Sequence, residues 1–433
     1  MRCVPTDRWR RAAAGWLALL AIGLPAPLVA QGRPPGVSLD LQYRASARAA
    51  LVVLPVRGAY GDSLTTILSR DFEFSDRFTV VASASAPPVQ GAINYPLFTK
   101  LGVDGIVQLS VLPTGWVRVA LHDVGLKTVR TTKDFALPAP ALSPAWRLAV
   151  HGVADVVEEW ITGQRGIAQT RIAFTRGGRI WTVDSDGANA APVTAAGMSP
   201  QWLPSGRGIV FNVLDGIRNP IVYKDLVTGA QRTLVSAAGV EHSTPAVSPD
   251  GRTLVYARGT DTGTDLYAQP FDGGAARRIT IGRGRASVQP SFSPDGQRLV
   301  FMSDRSGRQE VYISDLDGTN VELLTTGAFG DRDYRAGPDW SSDGRLVAFQ
   351  SRNGGTFQIM TINVRDQSIR QVTDAGRNDD PSWAPDSRHL VVTRNLDGVR
   401  QLWVIDTESG RARQLTRGPE ARLSAWSPRL VVP

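Results

Sequence analysis

The sequence predicts an α/β N-terminal domain followed by an all-β six-bladed β-propeller, closed by N- and C-terminal strands of the propeller domain. Three observations carry this reading. The C-terminal two-thirds repeats with a period of about 45 residues, each repeat holds strand-length apolar runs, and the region before it mixes helical and strand patterns.

The repeat is anchored by "PQWLPSG" from Pro200, "PAVSPDG" from Pro245, "PSFSPDG" from Pro290, "PDWSSDG" from Pro338 and "PSWAPDS" from Pro381, with a clipped copy, "SAWSP", ending at Pro428. This spacing fits one four-stranded propeller blade. After each turn come two apolar runs, such as "TLVYAR" then "DLYAQP", or "RLVFMS" then "EVYISD". A short third run follows, such as "RRIT" or "ELLT". β-branched and aromatic residues bounded by Gly, Pro, Asp and Ser read as strands. The anchor itself supplies the innermost strand. A further trio, "RIAFT", "RIWTVD" and "PVT", lacks an inner strand, and "SAWSP" is an inner strand without a trio. Joining them gives six blades and ties the ring shut. The Asp-Gly pairs supply the backbone geometry of tight turns. Asp315-x-Asp317-Gly318 lacks the further oxygen ligands of a calcium loop.

Residues 1–30 have the basic start, apolar core and small-residue cleavage site of a secretory signal. Residues 31–163 form the expected α/β domain and 164–433 the propeller. Val37, Leu39, Leu41 and Tyr43 alternate with polar residues as in a half-buried strand; "ALVVLPV" (50–56) is a buried strand. Asp62–Phe74 reads as a helix, "RFTVV" as a strand, "PLFTKLGVDGIVQLSVL" as helix then strand, and "WVRVALHDV" as another strand. Ser143-Pro144 caps a long helix ending at Gly163, with His151 on its polar face and Gln164–Gln169 as linker.

Composition narrows the chemistry. The one cysteine, Cys3, lies in the signal, so no disulfide or thiol chemistry is expected in the mature chain. The net charge of +8 falls to about +5 without the signal, and its basic residues, nearly all Arg, are scattered, as composition bias would leave them. A nucleic-acid groove would need a basic stripe interleaved with aromatics. No further stretch is long and apolar enough to span a bilayer, so the mature chain is expected to be soluble, touching membranes only through partners.

No catalytic, cofactor-binding or metal residues are predicted. His122, His151, His242 and His389 stand apart from metal-ligand spacings, and neither a G-x-S-x-G elbow nor a phosphate loop occurs. Gly61-Asp62-Ser63-Leu64 looks like the nucleophile block of a serine esterase family, and Asp386-x-x-His389 would complete a triad. Asp386 nonetheless shares the turn slot of Asp250, Asp295 and Asp343, and Asp62-Ser63 reads as the N-cap region of a helix. A serine esterase using Ser63 therefore ranks below a binding protein. A scaffold or glycan-binding propeller is the other alternative.

"HGVADVVEEWITGQRGIAQTRIAF" (151–174) resembles the domain junction of TolB proteins. "LSRDFEFSDRFTVV", "LGVDGIVQLSV", the P-x-W-S-P-D-G repeats and the ending "AWSPRL" are also similar to that family. The resemblance implies a periplasmic, non-enzymatic, monomeric component of the Tol–Pal system that supports outer-membrane integrity and constriction during division. It implies binding of a Pal-like lipoprotein through the propeller and of TolA through an N-terminal strand, here Val37-Ser38-Leu39-Asp40-Leu41-Gln42-Tyr43. For Pal, the loops entering the inner strands are the candidate surface: Glu241, His242 and Ser243; Arg285, Ala286 and Ser287; Asp333, Tyr334 and Arg335; Asn378 and Asp379. His242 leads that group, because TolB proteins carry a His just before this Pro.

Overall fold

The apolar runs of the N-terminal third assemble into one five-stranded sheet in the computed structural model, which describes residues 48–431 apart from 59, 83–91, 217–218, 283–284, 326–333 and 354. The expected signal segment, the strand expected at 37–43 and Asp333 lie outside the described residues. The sheet order is β2 (Phe78–Val80), β1 (Ala49–Val53), β3 (Gly105–Val111), β4 (Val117–Asp123) and β5 (Thr128–Phe135). β1 is parallel to both neighbours, and Leu51, Val52 and Val53 are at most 1% exposed, as a central parallel strand requires. β5 is absent from the sequence reading. Its run "TVRTTKDF" has no apolar alternation because it is an edge, where Arg130 and Lys133 discourage further pairing.

Helix α1 (Gly61–Phe74) begins at Gly61, and its N-cap is Tyr60 in a left-handed conformation (φ 67°) with no side-chain cap. Asp62 and Ser63 thus lie in the first turn rather than capping it. Gly61 is required by space: a Cβ there would stand 2.0 Å from the Val56 carbonyl oxygen. A short helix, α2 (Tyr95–Lys100), is capped by Asn94. Helix α3 (Pro144–Thr162) follows its sequence signals closely. Ser143 Oγ accepts the Trp146 N–H at 3.1 Å, Pro144 opens the helix, and Gly163 ends it at φ 75°. Its burial differs from the expected single apolar face. His151, Asp155 and Glu158 are as buried as Val150 and Val153, because the propeller covers the side that a free domain would leave wet.

The linker after α3 is clamped. Asp155, 1% exposed, accepts the N–H groups of Ala168 (2.7 Å) and Gln169 (3.0 Å). Cβ atoms at Gly166 or Gly152 would collide with Asp155 or with the Gln169 side chain, at 2.5 and 2.7 Å. The C-terminal tail pairs with the same segment: Leu430 N–H donates to the Gln169 carbonyl at 2.9 Å, and Arg429 donates to the carbonyls of Arg165 and Gly166.

Six four-stranded sheets make the propeller. The first joins the C-terminal strand Arg422–Trp426 to Arg171–Arg176, Arg179–Asp184 and Ala191–Pro192, the closure expected from the strand count. The inner strands of blades two to six are Met198–Trp202, His242–Val247, Ser287–Phe292, Arg335–Trp340 and Arg377–Trp383. Each inner strand is broken by a bulge whose residue is left-handed: Ser199, Thr244, Gln289, Gly337, Asp380 and Leu423, with φ between 44° and 60°. Five of these precede the repeated proline, which suits a bulge because it has no N–H to place in a ladder.

The bulges are cross-linked around the axis. Gln289 N–H donates to Thr244 Oγ1 at 3.1 Å, and Gly337 N–H donates to Gln289 Oε1 at 2.9 Å. Gly337 has no side chain to continue the relay, so Gln350 from the next strand accepts Asp380 N–H at 2.9 Å. Two positions on, Ser291, Asp339 and Ser382 accept the N–H groups of Trp340, Trp383 and Trp426. Indole N–H groups add further bridges, from Trp202 to the Ala425 carbonyl and from Trp383 to the Asp339 carbonyl, both 3.1 Å.

The arginine bias proves more specific than composition suggested. Arg277, on a fourth strand, donates to the carbonyls of Leu316 (3.0 Å) and Asp317 (2.9 Å) in the next blade. Arg370 reaches the Thr407 carbonyl and Arg413 the Ser185 carbonyl in the same way. A planar fork of donors can bridge two carbonyls, whereas a lysine ammonium offers one point of attachment.

Candidate functional site

Because strands alternate in direction within a blade, the propeller has two faces of different kind. The short turns carrying Asp250, Asp295, Asp343 and Asp386 share one face; the loops entering the inner strands and the hairpins between second and third strands share the other. All the Pal candidates within the described residues lie on this loop-bearing face, around the mouth of the axial channel. Glu241 and Arg285 are exposed, while Ser243, Ala286 and Tyr334 are half-buried. His242 is 2% exposed with its ring 5.8 Å from that of Tyr256. Ser287 meets Ser303 at 3.1 Å; Arg335 donates to Glu310 (2.8 Å) and to the Thr325 carbonyl (2.6 Å). Asn378 donates to Gln358 and accepts from Arg394, and Asp379 accepts from Arg377. The buried members shape the loops, and the exposed ones present the surface.

The channel holds a cavity of about 290 Å³ lined by the bulge residues and their neighbours, among them Gln201, Thr244, Gln289, Asp339, Asp380 and Ser382. Burial pushes the carboxyls of Asp339 and Asp380 up to about 6. The wall is polar and acidic, and its side chains are largely engaged in the inter-blade bonds described above.

The opposite, turn-bearing face carries the α/β unit, and here the triad residues are found. His389 is 0% exposed; Nδ1 lies 2.7 Å from Asp386 Oδ2, and Nε2 lies 3.5 Å from Asp76 Oδ2 at the end of α1. Both ring nitrogens thus face carboxylates, leaving none for a serine. Ser63 sits at the other end of α1, beside a cavity of about 240 Å³ lined by Ile67, Arg70, Leu142, Trp146 and Arg147. The structure brings Asp386 and His389 together and leaves Ser63 out.

The Asp386–His389 pair is more than the repeat showing through. In blades three, four and five the turn aspartate accepts from a serine two residues earlier: Ser248 to Asp250 (2.5 Å), Ser293 to Asp295 (2.5 Å) and Ser341 to Asp343 (2.7 Å). Blade six has Ala384 at that position, which frees Asp386 for His389. The serine-to-alanine change was the available sequence signal. Around the pair, Arg77 meets Glu158 (2.9 Å) and Asp386 (3.8 Å), Arg411 meets Asp76 (3.0 Å), and Arg388 meets Asp406 (2.7 Å) and donates to the Asp76 carbonyl. Burial disfavours the imidazolium, but the Asp386 and Asp76 carboxylates outweigh it and raise His389 to about 9. Burial raises Glu158 to about 8, against the pull of Arg77.

A second cluster joins α1, α3 and blade one. His151 Nδ1 lies 2.7 Å from Asp71, and Arg70 and Arg147 both hold Asp186. Arg413 stacks on Phe74 with its guanidinium carbon 4.1 Å from the ring centre. Among the described residues, Asp71, His151 and Asp186, and separately Asp76, His389 and Asp406, have spacings that could hold a metal ion. In both, guanidinium groups already neutralise the carboxylates, so the donor sets fit a metal poorly.

A family sequence model, the TolB beta propeller domain, matches residues 158–430. The chain belongs to the TolB family. Curated relatives named Tol-Pal system protein TolB include that of Methylococcus capsulatus, 28% identical over 53% of this chain and 57% of the relative. That of Polaromonas naphthalenivorans is 30% identical over 49% and 53%. The chain spans a little over half the length of these TolB relatives. The crystal structure of TolB from Acinetobacter baumannii superposes with a TM-score of 0.77 at 22% identity, covering 88% of this chain and 97% of that one, which shows the shared fold. Among the described residues no helix is long and apolar enough to cross a membrane.

Proposed function

We propose that this chain is a periplasmic, non-enzymatic adaptor of the Tol–Pal system, with residues 31–163 as its α/β domain and 164–433 as its propeller. It binds a Pal-like lipoprotein through the loop-bearing face, using Glu241, Arg285 and their neighbours, and TolA through residues 37–43. By linking these partners it supports outer-membrane integrity and constriction during division. The observation that carries the reading is the match of the TolB propeller family over residues 158–430. The fold agrees with it: among the described residues the α/β unit occupies the turn-bearing face and leaves the loop-bearing face to a partner. The test is calorimetry of the purified protein with the lipid-free domain of its cognate Pal-like lipoprotein, without added metal or nucleotide. Saturable binding is expected, and its absence would refute the reading.

A further inference from the structure

We propose that the sector of the loop-bearing face formed by blades six and one is a docking surface for a carboxylate-rich protein surface. The proposal rests on the reading that this face receives a Pal-like domain, and it adds to the Glu241 and Arg285 loops a second contact sector with its own chemistry. Six arginines converge here. Arg176 and Arg179 flank the Gly177-Gly178 turn of blade one; Arg377 and Arg400 open strands of blade six; Arg417 lies on the connection into the closing strand and Arg422 opens that strand. Arg377, Arg422 and Arg400 are 46%, 43% and 35% exposed, and Arg179 and Arg417 are exposed too.

The acidic groups nearby are fewer. Asp374, Asp397 and Glu420 are exposed; Glu420 already meets Arg400 at 2.8 Å and Arg422 at 3.9 Å, and Asp379 holds Arg377 at 2.8 Å, which leaves Arg179 and Arg417 for a partner. Among the described residues, the hairpins of blades two and three and the loop between them expose instead Asp215, Asp261 and Glu241. The face is therefore polarised, and a polarised face orients a partner as well as attracting it.

Two further features suit the sector to protein rather than to free anions. Arg176 is held in place, its guanidinium 5.1 Å from the Phe174 ring centre and 5.3 Å from that of Trp181, while Nη2 donates to the Arg417 carbonyl at 3.3 Å. Such pre-organisation reduces the ordering cost of binding. Next to it, the hairpin of blade six exposes Leu396 (39%) and Val399 (50%), an apolar contact that a small anion could not use. Planar guanidinium forks match carboxylates in pairs, which favours Asp- and Glu-bearing loops as the opposing surface.

The experiment is calorimetry of the full chain with the lipid-free Pal-like domain at about 50 and about 300 mM salt. It compares the native protein, the triple variant Arg179→Gln, Arg417→Gln, Arg422→Gln, and the control Arg252→Gln on the turn-bearing face. We expect affinity to fall about tenfold or more in the triple variant, with a smaller salt response, and to be unchanged in the control. Native affinity and native salt response in the triple variant would overturn the docking sector while leaving the Pal reading intact. No binding by the native protein at either salt would overturn both.

Discussion

Replacing Asp155 by alanine removes the clamp between α3 and the start of the propeller. Asp155 is buried, and it is the acceptor for two buried N–H groups, those of Ala168 and Gln169, at 2.7 and 3.0 Å. Each orphaned donor costs about 1–3 kcal/mol, and relief of the buried carboxylate returns part of that. A net loss of about 2–4 kcal/mol is expected. Asp155→Asn keeps one acceptor and carries no charge, so it should fall between alanine and native. Burial raises Asp155 to about 7 from 3.8. Its contribution to stability is therefore fully present below about 4 and lost as pH rises through about 7, and the asparagine variant should lose that slope. The assay is denaturant unfolding followed by tryptophan fluorescence at pH 5 and pH 8. Hydrogen exchange of residues 427–431, which pair with the clamped segment, should also accelerate. An alanine variant as stable as native, with an unchanged tail, would show that the linker is held by something else.

Gly61→Ala should destabilise by roughly 3 kcal/mol or more in thermal melts, because the new Cβ meets the Val56 carbonyl oxygen at 2.0 Å and only backbone movement relieves it. In parallel, Ser63→Ala should leave stability and any background hydrolysis unchanged; esterase turnover that vanishes in that variant would restore a catalytic role. His389→Gln should remove a pH dependence. The raised histidine, at about 9, stabilises fully below its ordinary 6.5 and loses up to about 3 kcal/mol as pH rises through 9. NMR titration of the ring checks this directly, and a midpoint near 6.5 would contradict it.

Most of the fold could be read from the chain, because a blade is a local object. Its turns, strand runs and anchor recur at a fixed spacing, and the surplus copies at Arg171 and Ser424 even revealed the closure. The edge strand β5 escaped because periodicity reports burial, and this strand has little. The junction escaped for a different reason. Arg388 and Asp76 are 312 residues apart, and no pattern in either neighbourhood names the other. Helical periodicity puts His151 on a polar face, yet it is buried, because periodicity cannot tell a solvated side from one covered by another unit. At the partner face, loop position was legible but exposure was not: His242, Arg335 and Asn378 point inward, and the arginines of blades six and one come from separate repeats.

The relay around the channel gives each blade an address. Thr244 and Gln289 occupy equivalent bulges, yet each accepts the N–H of one neighbour, and Gly337 works only because Gln350 fills its place. Blades of this ring are therefore not interchangeable parts. A copy of blade four at the fifth position would replace both partners at once, putting a glutamine where Gly337 stands and Met302 where Gln350 stands. Duplication of blades can have built such a ring, but once the side chains had diverged, each position could drift only together with the one beside it.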